Sequence, residues 1–137
     1  MRETDDEPGP ALKYPVPMTN QKRGHRDLVA WQLGMDLAAA VYDLVRQLPS
    51  IERFGLRLQL TKAAGSVPAN IAEGYGLLTK AQFRKHLRIA NGSLKEVETH
   101  LELALRVGML SESNVSPALQ IAARLGAVIR GLGQSLS

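Results

Sequence analysis

Glu96 and His100, one helical turn apart, are the nearest approach in this 137-residue sequence to a metal-ligating pair. A carboxylate-bridged metal centre inside a helical bundle needs Glu on two helices and Glu-x-x-His on the other two, all directed inward. No Glu-x-x-His occurs here, and the first helical segment offers only Asp36 and Asp43. No metal and no cofactor is therefore expected, and His86 and His100 are read as surface residues. Ser66 and Ser93 have no histidine in the pattern that could activate them as nucleophiles. The run Gly74-Tyr75-Gly76-Leu77-Leu78-Thr79 has Thr where a dinucleotide fingerprint needs its third Gly, and it follows a helix instead of a strand. It reads as a helix C-cap and turn. A non-enzymatic protein is the expectation.

Two other kinds of chemistry remain. Asn70 and Glu73 flank the apolar Ile71, and with Ser93 they are read as a polar network fixing the junction of the second and third helices; a ligand site is the alternative. Small residues (Gly65, Ser66, Ala69, Ala90, Gly92, Ser93) would let those two helices approach closely. The second chemistry is phosphate contact, for which the basic residues are the candidates.

The elements that must position these groups are helices. Leu28, Trp31, Met35, Ala38, Tyr42 and Val45 step by three and four residues, as do Phe83, Leu87, Ala90, Leu94, Val97, Leu101 and Ala104. The pattern predicts helices over about 27–47, 51–75, 79–107 and 113–134, with Ser50 capping the second and Thr79 with Gln82 forming a capping box for the third. Pro68 predicts a kink near Thr61–Ala64. No segment reads as a strand. The fold class expected is all-α, an antiparallel up-down-up-down four-helix bundle over 27–137.

Composition agrees, since hydrophobic residues are 45% of the chain but aromatics only 4%, leaving the core to Leu, Ala, Val and Ile. The longest apolar run without Gly, Leu37 to Tyr42, is six residues, far below the roughly 18 that span a bilayer. No membrane partner is expected. Four of the seven prolines fall in residues 1–17 beside Glu3, Asp5, Asp6 and Glu7, so residues 1–26 read as a disordered tail in which Met18 is a candidate initiator. With no Cys and no apolar stretch resembling a signal segment, a cytoplasmic location is expected.

The net charge of +4 conceals a polar molecule. In an antiparallel bundle, one end collects the eight cations Lys22, Arg23, Arg26, Lys80, Arg84, Lys85, Arg88 and Arg130 against Asp27 and Glu73, a balance of +6. The other end sets Arg46, Arg53, Arg57 and Arg106 against the five acids Asp43, Glu52, Glu98, Glu102 and Glu112, a balance of −1. Cations crowding the N-terminal half of the third helix oppose its macrodipole, by about 0.3–1 kcal/mol each near the first turn, so stability alone would not select them. A solvated face is one reading; a polyanion-binding end is the other. No aromatic platform accompanies the cluster, so phosphate contact without base readout is expected.

The runs LVAWQLGMDLAAAVYDL, LPSIERFGLRLQLTKAAGSVPANIAEGYG and FRKHLRIANGSLKEVETHLELALRVGML resemble the four-helix-bundle family of proteins encoded in intervening sequences of bacterial 23S ribosomal RNA genes. This S23 ribosomal protein-like group includes the accessory variability protein of diversity-generating retroelements. The likeness covers about residues 27–132, and its most specific part pairs Asn70-Ile71-Ala72-Glu73-Gly74 with Ala90-x-Gly92-Ser93-Leu94. It implies a cyclic homo-oligomer, a pentamer, and no catalytic motif. For the retroelement members it implies binding of nucleic acid and of a reverse transcriptase through basic surfaces. Many members carry a basic pair ahead of the Ala-Ala of the second helix, where this chain has Thr61 and Lys62.

The expected function is thus a non-enzymatic, oligomeric bundle that contacts RNA or DNA through Arg23, Arg26, Lys80, Arg84, Lys85, Arg88 and Arg130. The alternative is a protein-interaction scaffold or accessory subunit, for example of a reverse transcriptase. The apolar face of the first helix (Trp31, Met35, Leu37, Val41, Tyr42, Leu44) is wider than one bundle seam needs, which leaves area for a neighbouring subunit.

Overall fold

The computed structural model describes residues 23–137, and the expectations for the tail and for Met18 lie outside them. Four helices, α1 (Val29–Val45), α2 (Leu56–Gly76), α3 (Lys80–Arg106) and α4 (Glu112–Ser135), surround one hydrophobic core, and no strand occurs among the described residues. Each helix packs against two others, α1 on α2 and α4, α3 on α2 and α4, while the pairs α1–α3 and α2–α4 do not meet. Leu37, Leu60, Ile71, Leu94, Leu101 and Leu125 are fully buried at the centre, and the periodic positions of α3 from Phe83 to Ala104 all face it; along α1 the expected stripe is corrected, since Leu33, Leu37, Val41 and Leu44 are buried while Leu28, Met35 and Ala38 are half-buried and Tyr42 is 52% exposed. Leu, Ala, Val and Ile thus supply the burial that holds the helices together.

Helix boundaries follow from how each end satisfies its free backbone groups. Thr79 accepts a hydrogen bond from the Gln82 backbone N–H at 3.2 Å, as its position in the capping box predicts, and Ser111 does the same for Asn114 at 3.2 Å. Replacing Thr79 by Ala is expected to cost about 1 kcal/mol, read as a lower urea midpoint at unchanged slope. At the far end of α3, Gly108 takes φ +81, the Gly108 N–H reaches the Leu105 carbonyl at 3.2 Å and the Met109 N–H reaches that of Ala104 at 2.9 Å. This is a Schellman closure, and it needs the left-handed backbone that glycine adopts without strain.

The expected cap of α2 is corrected. Ser50 caps no helix: Ser50–Glu52 forms a 3-10 turn, and α2 begins only after Gly55, where Glu52 Oε1 accepts the Leu56 N–H at 3.1 Å. A carboxylate four residues upstream reaches the open N–H groups of α2, and there it also meets the positive end of the helix dipole. The run Gly74-Tyr75-Gly76 ends α2 as expected, and the turn that follows has Leu78 in the left-handed region (φ +69). α2 is helical on both sides of Pro68, which is buried against Gly34 of α1. A Cβ on Gly34 would stand 3.2 Å from Pro68 Cβ, so the missing side chain on α1 admits the proline ring of α2.

Candidate nucleic-acid interface

The α2–α3 junction carries the polar network. Ser66 and Ser93 hydroxyls meet at 2.8 Å, and Asn70 Nδ2 donates to the Ser66 carbonyl at 2.9 Å and to its hydroxyl at 3.0 Å. Both amide hydrogens of Asn70 are thereby committed, so its Oδ1 accepts, and the His86 Nδ1 atom 3.0 Å away must carry the proton. The other ring nitrogen of His86 faces Glu73 Oε2 at 4.0 Å. Asn70, Glu73 and Ser93 do come together, through two residues that the sequence pattern left out of the network, Ser66 and His86.

The reading of His86 as a surface residue is corrected: it is 9% exposed, whereas His100 is half-buried and faces Glu96 Oε2 at 3.5 Å. His86 is buried because Gly74 opposite it has no side chain; a Cβ there would lie 2.6 Å from His86 Cβ. The close approach of α2 and α3 therefore rests on Gly74 with the serine pair and Ala90. Gly65 and Gly92 have open space where a Cβ would stand, and Ala69 is exposed. The missed signal was the spacing of Gly74 from Ile71 and Val67, which puts it on the buried stripe of its helix.

Among the described residues, no three His, Cys, Asp or Glu side chains cluster as a metal site would require.

The seven candidate phosphate contacts with described positions divide into two groups. Arg84, Arg88 and Arg130 line one groove of about 580 Å³ between α3 and α4, with Leu87 and Ile129 buried beneath it. Lys80 lies one turn before Arg84 on α3, and Lys80, Lys85, Arg88 and Arg130 are all exposed. Arg84 also donates to the carbonyl of Leu136, so one of its N–H groups closes the end of α4. The partial negative charge there favours a cation. Arg88 and Arg130 have no ion-pair or hydrogen-bond partner among the described residues.

Arg23 and Arg26 stand apart from this groove, on a 3-10 turn (Gly24–Asp27) that contacts α1 and α2 but neither α3 nor α4. Arg23 Nε lies 3.3 Å from Asp27 Oδ1, and the Arg23 N–H donates to Asp27 Oδ2 at 2.8 Å. Arg26 is exposed, with its carbonyl accepting from Gln32 Nε2 at 2.9 Å. Burial, and then the Arg26 guanidinium, push the His25 imidazole below its ordinary range, so it adds no positive charge here at neutral pH.

Four helices enclosing one aliphatic core, with cations gathered at a groove, define a small helical protein whose distinguishing feature is surface charge. The sequence matches the family described as 23S rRNA-intervening sequence protein over residues 26–131, and the chain belongs to that family. A comparison with curated proteins gives no match. No helix among the described residues is long and apolar enough to cross a membrane.

Proposed function

We propose that this protein is a non-enzymatic, nucleic-acid-associated bundle, with its helices antiparallel in up-down-up-down order, that assembles as a cyclic homopentamer in the cytoplasm. It contacts RNA or DNA phosphates through the basic end without reading sequence. The observation that carries this reading is the convergence of Arg84, Arg88 and Arg130 on one groove, two of them without a partner among the described residues. The antiparallel order is supported by contacts between helix ends: Arg84 with Leu136, Gly74 against His86, and Asn114 Nδ2 to Gln47 Oε1 at 2.6 Å. A ring of copies would repeat the cluster, and weak phosphate contacts would add through multivalency.

Fluorescence anisotropy with a short structured RNA and a duplex DNA tests this, at about 50 and 200 mM salt, a range over which six to ten phosphate contacts lose roughly 10³–10⁵ in affinity. R84E/R88E is expected to weaken binding and to reduce the salt slope by about 1 per lost contact. Circular dichroism of the variant serves as the control for folding. Absence of binding at low salt, or unchanged affinity in the variant, overturns the assignment.

A second reading, a protein-interaction scaffold or accessory subunit of an enzyme such as a reverse transcriptase, is favoured by a different feature. Ile51 and Phe54, between α1 and α2, are 86% and 80% exposed, and Leu58 on the first turn of α2 is exposed too. Apolar side chains this open on one segment are what a protein partner would cover.

A further inference from the structure

The α3–α4 groove gathers cations with no carboxylate side chain to balance them. Arg84, Arg88 and Arg130 line it, and no Asp or Glu does. The two described acids at this end are engaged elsewhere, Asp27 with Arg23 at 3.3 Å and Glu73 facing His86 at 4.0 Å. Four further acids, Glu3, Asp5, Asp6 and Glu7, stand within five consecutive residues near the start of the chain, and Arg2 is the only cation in residues 1–10. That segment joins the described fold at Arg23, ahead of the 3-10 turn that packs on α1 and α2. A short series of neighbours leads from there to the groove: Gly74 near the end of α2 meets His86 on α3, and Arg84 on α3 meets Leu136 at the end of α4. The sixteen residues from Glu7 to Arg23 reach up to about 53 Å at about 3.3 Å each, whereas neighbouring helix axes lie about 8–10 Å apart.

We propose that residues 3–7 seat in this groove of their own chain and compete there with nucleic-acid phosphates. The inference rests on the phosphate-binding reading of this end and adds its regulation. Charge spacing selects this occupant. A strand of DNA carries one phosphate per about 3.4 Å, and an extended peptide advances about 3.3–3.6 Å per residue. Four carboxylates in five residues therefore offer nearly the same density of negative charge as a nucleic-acid strand, on a segment already joined to the fold. Each exposed carboxylate–guanidinium contact is weak on its own. Tethering raises the local concentration of the segment to the order of millimolar, so several weak contacts act together. Arg88 and Arg130 are the groups it neutralises, since neither has a partner among the described residues, while Arg84 is partly committed to the Leu136 carbonyl.

The sequence has no Cys, so Thr4→Cys gives a single site for a nitroxide label without a change of charge. In the full chain at low salt, the label is expected to broaden the backbone amide NMR signals of Arg88 and Arg130 and to spare that of Arg106 at the far end of α3. The broadening should disappear at about 1 M salt, where the Debye length falls to about 3 Å. It should disappear likewise when E3Q/D5N/D6N/E7Q is added to the labelled chain. Without the label, E3Q/D5N/D6N/E7Q is expected to bind duplex DNA about three- to tenfold more tightly than the unsubstituted chain at about 50 mM salt. E98Q/E102Q, farther along α3, controls for net charge and should gain little, because screening acts over about 10 Å. Absence of broadening at Arg88 and Arg130, or equal broadening at Arg106, overturns the seating. Broadening that appears only between a labelled chain and a second, isotope-enriched chain overturns the assignment to the same chain. A gain in DNA affinity no larger than that of E98Q/E102Q overturns the competition. If no variant binds duplex DNA while the broadening persists, the phosphate-binding reading falls and the seated segment stands; DNA binding without broadening has the reverse meaning.

Discussion

Gly74→Val is expected to destabilise the protein by about 3 kcal/mol, at the upper end of what overpacking a core costs. The new Cβ would meet His86 Cβ at 2.6 Å and Phe83 Cδ1 at 3.2 Å. Rotation cannot relieve the first contact, because a Cβ moves only with its backbone, so α2 and α3 must separate. That separation stretches the His86–Asn70 and Ser66–Ser93 hydrogen bonds, whose members are part-buried and would lose partners. Helix propensity works in the opposite direction: losing a helical Gly in favour of Val recovers well under 1 kcal/mol, too little to offset the clash. Gly65→Ala is the paired control on the same helix. With nothing within 4 Å of its Cβ, it is expected to stabilise by about 0.5–1 kcal/mol. Urea unfolding of both variants checks the pair. A neutral Gly74→Val would mean that α2 and α3 are not held at the distance seen here.

Leu101→Ala is expected to cost about 2–5 kcal/mol, the range for removing a fully buried leucine side chain. Leu101 is 0% exposed on α3, the helix shared by the α2 and α4 interfaces, with Val97 and Ala104 completely buried on the same stripe. The cavity left behind has neighbours held by two other helices, which limits collapse and places the effect toward the top of that range. For a chain of this size, 1 kcal/mol corresponds to a shift in Tm of about 4 °C, so thermal unfolding should resolve the loss easily. The exposed Leu103, two residues on, is the contrast: Leu103→Ala should fall within about 0.5 kcal/mol for an isolated chain. A larger loss at Leu103 would point to an intersubunit contact, and sedimentation of the variant would show whether assembly falls with it.

The charge pattern was legible in the sequence at the level of the helix and not of the site. Lys80, Arg84 and Arg88 step along α3 in single turns, which any helical reading puts on one face. Joining Arg130 to them requires knowing that α3 and α4 are neighbours and in what register. Periodicity on each helix separately is silent about that, because an apolar stripe shows only that a helix faces a core. The same gap set Arg23 and Arg26 beside the groove residues in an end-by-end sorting, whereas the turn carrying them packs on α1 and α2. Ser50 shows the limit at the turns. There, competing caps of similar strength exist within a few residues, and the choice between Ser50 and Glu52 is made by which oxygen reaches Leu56 N–H once the chain has bent at Gly55.

By itself the sequence determined the helical class, the number of helices, the largely aliphatic core and the Thr79 cap, because each depends on interactions within about one turn: side-chain periodicity and the reach of the Thr79 oxygen. It also carried the family, over residues 26–131. Only the tertiary structure decided that His86 is buried, that Gly74 and Gly34 rather than Gly65 and Gly92 make the close crossings, and that Arg84, Arg88 and Arg130 line one groove. Those outcomes depend on the rotation and axial register of one helix against another, set by many small packing contacts summed across the interface, none of which has a signature in the local order of residues.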